Sequence, residues 1–188
     1  MIKRISKSYF NHHALLFKKI NFEKISECSK IISDAGKKGG IVYTCGNGGS
    51  AYNASHYVTD WNKFIKKKIK QFKSISLCDN LGIITATSND ISYDNIFLEQ
   101  LENQVKSKDI LVCISGSGKS KNLIKAAKYF KRKKGKVIAI VGFDGGQLKK
   151  IANFTLHVPS YDMQLCEDIH MMIGHIIMKE ICHDDIKR

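Results

Sequence analysis

The feature that most constrains this chain is a glycine-rich turn between a short apolar segment and a helix-forming segment. Residues 41–44 (IVYT) are typical of a buried strand, residues 46–50 (GNGGS) form the turn, and residues 51 to about 64 favour a helix. The backbone N–H groups of such a turn and the positive end of the helix dipole both attract anions. The stretch therefore predicts an anion site at the start of this helix.

The same helix carries an imidazole and a carboxylate on one face. His56 and Asp60 are four residues apart, a spacing that makes side chains neighbours on a helix. A histidine beside a carboxylate can perform acid/base chemistry or bind a metal ion. The turn and its helix together predict a site for a phosphorylated ligand with such chemistry beside it.

Short apolar segments alternate with helix-forming segments through the rest of the chain. Further strands are predicted at residues 74–77, 110–114, 137–141 and 154–158. Helices are predicted at residues 9–35, 91–105, 122–133 and 162–182, with a helical turn at 81–87 and a break at 89–90. This alternation indicates an α/β fold with a five-stranded parallel sheet, helices on both faces, and a ligand site at the carboxyl ends of the strands.

The length of the chain predicts a single domain. All 188 residues fit one hydrophobic core, and no linker or repeat interrupts them. Residues 1–36 are predicted to form an extra N-terminal helical region. This region is expected to pack on the domain itself or on a partner subunit.

A second loop rich in glycine and serine, residues 115–120 (SGSGKS), follows the third strand. A nucleotide P-loop would require glycine where Cys113 stands. A dinucleotide site at the first loop would require a carboxylate about 20 residues further on, and Asp79 lies beyond that spacing. A phosphomonoester bound by hydroxyl groups explains both loops at once. The hydroxyls are those of Ser50, Ser115, Ser117 and Ser120.

Composition limits the class of protein. The formal net charge is +14, but the lysine clusters lack interleaved aromatic residues, so nucleic acid is an unlikely partner. The six cysteines are scattered without a CxxC pair, which favours reduced thiols in the cytoplasm. No apolar run approaches the roughly 18 residues of a membrane span, so no membrane association is expected.

Motifs in order along the chain resemble the sugar isomerase (SIS) domain family, and within it the phosphoheptose isomerases. These are CGNGGSA with the histidine that follows, ISGSGKS, VGFDGG, and VPS before a last helix that contains histidine. The resemblance implies a flavodoxin-like three-layer sandwich and a homotetramer with active sites between subunits. It also implies aldose–ketose isomerisation of sedoheptulose 7-phosphate, a step towards the heptoses of surface polysaccharides such as lipopolysaccharide or capsule.

The resemblance also implies roles for individual residues. It implies Asp60 as the base and His175 as the acid, with Glu167 as a further catalytic candidate. The implied cofactor is a zinc ion held by His56, Asp60, Glu167 and His175. The expected substrate-binding residues are Asn47, Gly48, Gly49, Ser50, Asp90, Ser115, Gly116, Ser117 and Ser120.

Three positions depart from the family pattern. Asp60 stands where the family has glutamate, Glu167 where it has glutamine, and Gly116 replaces a threonine. One hypothesis is a coupled exchange, in which Asp60 binds the metal and Glu167 acts as the base. An alternative function is a SIS domain that senses a phosphosugar, or regulates a partner such as a replication initiator, without turnover. Loss of function on His175→Ala would separate an enzyme from such a sensor.

Overall fold

The computed structural model describes residues 2–183, with side chains from residue 4 onward. Its sheet is parallel throughout, with strand order β2-β1-β3-β4-β5. The strands are β1 (Ile41–Cys45), β2 (Lys73–Ser76), β3 (Ile110–Ser115), β4 (Lys136–Val141) and β5 (Phe154–His157). All five predicted strands are therefore present, each within one residue of its expected ends.

Eight α-helices connect and cover these strands in the described part of the chain. They are α1 (Ile2–Phe17), α2 (Phe22–Lys37), α3 (Gly49–Phe64), α4 (Leu81–Asp90), α5 (Leu98–Leu101), α6 (Lys121–Arg132), α7 (Gly146–Ile151) and α8 (Met163–Cys182). Within residues 2–183, none of the helices combines the length and apolarity that crossing a membrane requires.

The sheet is covered by apolar side chains on both faces, because successive residues of a strand point to opposite sides. One face packs against Ile32 of α2, Trp61 of α3 and Ile173 of α8. The other face packs against helices that include α5, α6 and α7. The central strand β3 is buried over its whole length. This arrangement confirms the predicted three-layer α/β fold with a five-stranded parallel sheet.

The structure corrects the predicted helix at residues 91–105. A 3₁₀ turn (Tyr93–Asn95) and the four-residue α5 replace it. The hydroxyl of Ser92 accepts the backbone N–H of Asp94 and starts the short turn, and Asn103 adopts a left-handed φ of 61°. Ile96, Phe97 and Leu101 are buried although the backbone that carries them is irregular. Their spacing matches helical periodicity without a continuous helix.

Three other helix predictions differ from the structure. The predicted helix at 9–35 is two helices, because Asn21 caps α2 by accepting the backbone N–H of Lys24. The predicted break at 89–90 is the last turn of α4, which Asn80 caps in the same way. The short helix α7 was not predicted, and its left-handed N-cap glycine, Gly145, made the segment look like a loop.

Candidate functional site

The first loop leads from β1 into α3, as the sequence predicts. Gly48 caps α3 with φ 55° and ψ −125°, a conformation that side chains with a Cβ rarely adopt. The loop lies at the carboxyl end of β1, which pairs with β2 on one side and β3 on the other. The first loop therefore lies beside the second loop, which begins at the end of β3.

His56, Asp60 and His175 converge into one cluster, which we call the triad. The Nε2 atoms of His56 and His175 are 3.0 Å apart. The Asp60 Oδ2 atom lies 3.3 Å from His56 Nε2 and 3.6 Å from His175 Nε2. His56 and Asp60 come from α3 and His175 comes from α8, so the contact between these helices assembles the triad. All three side chains are partly accessible to solvent, at 44 %, 21 % and 43 % of their surface.

The donor atoms of the triad fit a divalent metal ion such as zinc. Ligands bound tetrahedrally at about 2.0–2.1 Å from one zinc ion are separated from each other by about 3.3 Å. The three donor separations here span 3.0 to 3.6 Å. Among residues 2–183, the triad is the one group of three or more histidine, cysteine or carboxylate side chains whose donor atoms lie close enough to share an ion. Two imidazoles with one carboxylate are a ligand set that zinc accepts.

Glu167, which is also expected among the metal ligands, lies apart from the triad within one copy of the chain. A Cβ atom at Gly49 would lie 2.5 Å from both carboxylate oxygens of Glu167, so this carboxylate lies over the start of α3. The backbone carbonyl of Glu167 accepts a hydrogen bond of 3.0 Å from the Asn53 amide. Since Glu167 and His175 are eight residues apart on α8, they are separated by about 12 Å along its axis.

The second loop is shaped by its own serines and carries a lysine. The hydroxyl of Ser115, which is 5 % exposed, accepts the N–H of Gly118, and that of Ser117 accepts the N–H of Lys119. Ser120 caps α6 without a side-chain hydrogen bond to the helix. The Lys119 ammonium lies 3.2 Å from Asp144 Oδ2. The hydrogen bond from Lys119 holds the pKa of Asp144 below its usual value.

An amide pair joins the two loops. The Asn47 and Asn122 side chains exchange hydrogen bonds of 3.0 and 2.8 Å, and the Tyr93 hydroxyl donates to Asn47 Oδ1 at 2.9 Å. Asn122 is 1 % exposed, so this contact is part of the interior. Asn47 therefore bridges the loops, and Asn122 and Tyr93 are site residues that the sequence analysis missed. Only the position of Asn122 just after the second loop could have suggested it.

The remaining expected substrate residues lie around these loops. Ser50 is buried, at 3 % exposure, in the first turn of α3. Gly116 lies beneath the start of α8, where an added Cβ would meet the sulfur of Met163. Asp90 ends α4, is exposed, and accepts a hydrogen bond from the side chain of Asn89. The described structure leaves the carboxylate of Asp90 accessible to a ligand.

Comparison with known proteins identifies the family. A model of the SIS domain matches residues 8–142. A probable phosphoheptose isomerase of Thermoplasma acidophilum is 38 % identical over 172 residues, which cover 92 % of this chain and 94 % of that protein. The phosphoheptose isomerase of Clostridium acetobutylicum is 38 % identical over 155 residues, 82 % of this chain and 79 % of its own. The chain belongs to the SIS domain family.

A solved structure extends the match to the whole SIS domain. The phosphoheptose isomerase of Neisseria gonorrhoeae superposes with a TM-score of 0.88 at 25 % identity, over 96 % of this chain and 98 % of its own. The family and the fold expected from the sequence motifs are thereby confirmed.

Burial keeps other reactive groups of this SIS domain out of the chemistry. Burial lowers the pKa of His170 to about 4, so this fully buried imidazole is neutral at neutral pH. Burial also raises the pKa of the Cys45 thiol, whose sulfur lies 3.7 Å from that of Cys113 under the loops. The Tyr57 hydroxyl donates to the backbone carbonyl of His170 and ties α3 to α8. Of these residues, Tyr57 and His170 therefore join the two helices that carry the triad.

Proposed function

We propose that this SIS domain is an aldose–ketose isomerase that acts on sedoheptulose 7-phosphate, the activity of a phosphoheptose isomerase. The observation that carries the proposal is the triad, two members of which, His56 and Asp60, lie on the helix that begins at the first loop. His56 is seven residues beyond Gly49, or about 10 Å along α3. This separation is of the order of the length of an extended sugar phosphate, so one substrate can reach both the loops and the triad.

The second loop is the better place for the phosphate group. It combines the N-terminus of the twelve-residue α6, the hydroxyls of Ser117 and Ser120, and the ammonium of Lys119. The first loop, in contrast, has the carboxylate of Glu167 over Gly49. A phosphate dianion binds where donors and positive charge converge and is repelled by a carboxylate. We therefore assign Glu167 and Asp90 to the hydroxyl groups of the sugar.

The triad supplies the proton transfers that isomerisation requires. Asp60 Oδ2 faces both histidines, which leaves Oδ1 to take the proton from the carbon next to the carbonyl and return it to the neighbouring carbon. His175, whose Nε2 atom lies 3.0 Å from that of His56, is the residue proposed to give a proton to the oxygen that gains charge. A zinc ion held by His56, Asp60 and His175 would supply Lewis-acid stabilisation of that oxygen.

Four finer features belong to the same proposal: zinc as the metal, a homotetramer, a cytoplasmic location and a role in lipopolysaccharide or capsule heptose biosynthesis. The 12 Å between Glu167 and His175 supports sites between subunits, because both can bind one ion only if one of them comes from another copy. The partly exposed triad also leaves a side open to a second copy.

The test is turnover of sedoheptulose 7-phosphate by the purified protein after chelation, with and without added zinc. We expect metal-dependent turnover that Asp60→Asn lowers at least ~100-fold, since general base catalysis contributes about that much. The matched control is Glu23→Gln, which removes the charge of an exposed carboxylate in the first turn of α2 and should keep full activity.

Two outcomes would contradict the proposal or its assignment of the base. A thermal shift with phosphosugar but no turnover would favour the sensor. Activity retained in Asp60→Asn but lost in Glu167→Gln would make Glu167 the base, as the coupled exchange supposes.

A further inference from the structure

A polar cluster outside the triad joins α1 to α8. The Tyr9 hydroxyl donates a hydrogen bond of 2.6 Å to Asp168 Oδ2, and His13 Nε2 lies 3.1 Å from the same oxygen. The rings of Tyr9 and His13 pack edge to face at 4.7 Å. The hydrogen bond to Asp168 raises the pKa of Tyr9 to about 12, so the phenol keeps its proton at neutral pH. We call these three residues the clasp.

The clasp joins α1 to α8 through polar side chains, beside the buried Leu16. Among the described side chains of α1, Tyr9, His13 and Leu16 are buried or half-buried and the others are exposed. Their spacing places these three side chains on one face of the helix. Two of the three are polar, whereas the large apolar residues Phe10 and Leu15 remain at 74 % and 57 % exposure. A helix that only covered the core would turn those apolar residues inward.

The ring of His13 is placed to pair with a carboxylate. Its Nδ1 atom lies 3.1 Å from the backbone carbonyl of Tyr9, and its Nε2 atom faces Asp168. Both neighbours are acceptor oxygens, and Nε2 is buried without an aligned hydrogen-bond partner, so its contact with Asp168 is one of ion-pair distance. The side chain of His13 is 8 % exposed and that of Asp168 is 47 % exposed, so the contact is shielded from water on the His13 side only.

Glu167, which precedes Asp168 of the clasp in the sequence, belongs to the proposed active site. Successive helix residues project about 100° apart, so Asp168 faces α1 while Glu167 faces α3. Glu167 contacts α3 twice, through its backbone carbonyl to Asn53 and through its carboxylate over Gly49. The helix α8 is therefore held from two directions at the same level. A rotation of α8 that broke one contact would displace the other.

We propose that Tyr9 and His13 are positioning residues: by holding Asp168 they set the rotation of α8 and so place the Glu167 carboxylate over the first loop. Through the clasp, α1 helps to position the site, although no residue of α1 has been assigned to the chemistry. The expected loss of activity rests on the proposed function. The expected loosening of α8 rests on the structure alone.

The test compares the double variant Tyr9→Phe/His13→Gln with wild type and with His12→Gln. His12 lies on the same helix, is exposed and bonds only within α1 among the contacts described, to Ser8. We expect the double variant to lose about tenfold in kcat/KM, because small displacements near the chemistry are costly. The control should stay within twofold. Adding Asp168→Asn should change kcat/KM little further, because residues of one network are not additive.

Hydrogen exchange gives a readout that does not depend on turnover. The backbone amides of residues 165–170 should exchange at least tenfold faster in the double variant than in wild type and His12→Gln. If the wild type fails to isomerise the sugar, the proposed function fails while faster exchange still supports the clasp. Wild-type exchange in the double variant overturns the clasp. Faster exchange with unchanged kcat/KM in an active enzyme overturns its role in positioning.

Discussion

The two loops of this SIS domain have the same architecture and opposite charge. Each follows a central strand, contains glycine and serine, and opens a helix of twelve or more residues. The first loop has a carboxylate over its helix start, from Glu167, whereas the second has the ammonium of Lys119 beside it. The helix dipole and backbone N–H groups alone would make both loops anion sites. The added side chains are the basis of our proposal that the second loop holds the phosphate and the first loop meets the sugar.

The strongest test of this division is at the triad, on the side of the first loop. His175→Asn removes the proposed acid, and we expect kcat to fall at least ~100-fold while KM changes only a few-fold, since the acid acts on the transition state. Steady-state kinetics with sedoheptulose 7-phosphate measures both. His183→Asn, beyond the end of α8 in a left-handed conformation that asparagine tolerates, is the control. A rise in KM alone would mean that His175 only binds substrate.

An effect of intermediate size is expected when the positive charge beside the second loop is removed. Lys119→Gln should raise KM about tenfold and leave kcat within twofold, because a charge-assisted hydrogen bond to phosphate contributes about 1.5–3 kcal/mol. Lys128→Gln, an exposed lysine further along α6, should leave KM unchanged. An unchanged KM in Lys119→Gln would show that groups other than Lys119 bind the phosphate.

A smaller effect is expected when the carboxylate over the first loop is neutralised. Glu167→Gln keeps the shape of the side chain but removes the charge that repels anions from the start of α3. We expect inorganic phosphate to become about threefold stronger as a competitive inhibitor, the modest value that partial exposure and screening allow. Inhibition constants from kinetics at low salt measure this. A weaker inhibition by phosphate would show that Glu167 does not keep anions away from the first loop.

The smallest effect is the pH dependence of the ion pair beside the second loop. The pKa of Asp144 is lowered by Lys119, so the pair stabilises the folded state above the unfolded pKa of about 4 and the stabilisation is lost as pH falls through the lowered pKa. Thermal melts of wild type and Lys119→Gln should differ slightly at neutral pH and converge in acid. Asp144 is exposed, and equal melts at neutral pH would show that the pair adds no measurable stability.

Sequence alone predicted the parts of this molecule that local pattern determines. The strands β1, β3 and β4 are mostly apolar runs, and His56 and Asp60 share a helix face by spacing. His175 lies 119 residues from His56 in sequence, and only the family resemblance brought it into the site. The family resemblance also suggested Glu167, and local pattern does not reveal the direction of its side chain, which depends on the rotation of α8. The bridge between Asn47 and Asn122 depends on strand order, which the residues themselves do not display.

Strand order also determines when the site exists during folding. The chain builds β1 and then β2, yet the second loop arrives only with β3, which pairs on the other side of β1. The triad is completed later still, when α8 closes on α3. A nascent chain that has emerged only as far as α5 therefore has no binding site. A phosphosugar that bridges both loops can bind only the finished domain, and by mass action it protects the whole sheet against unfolding at once.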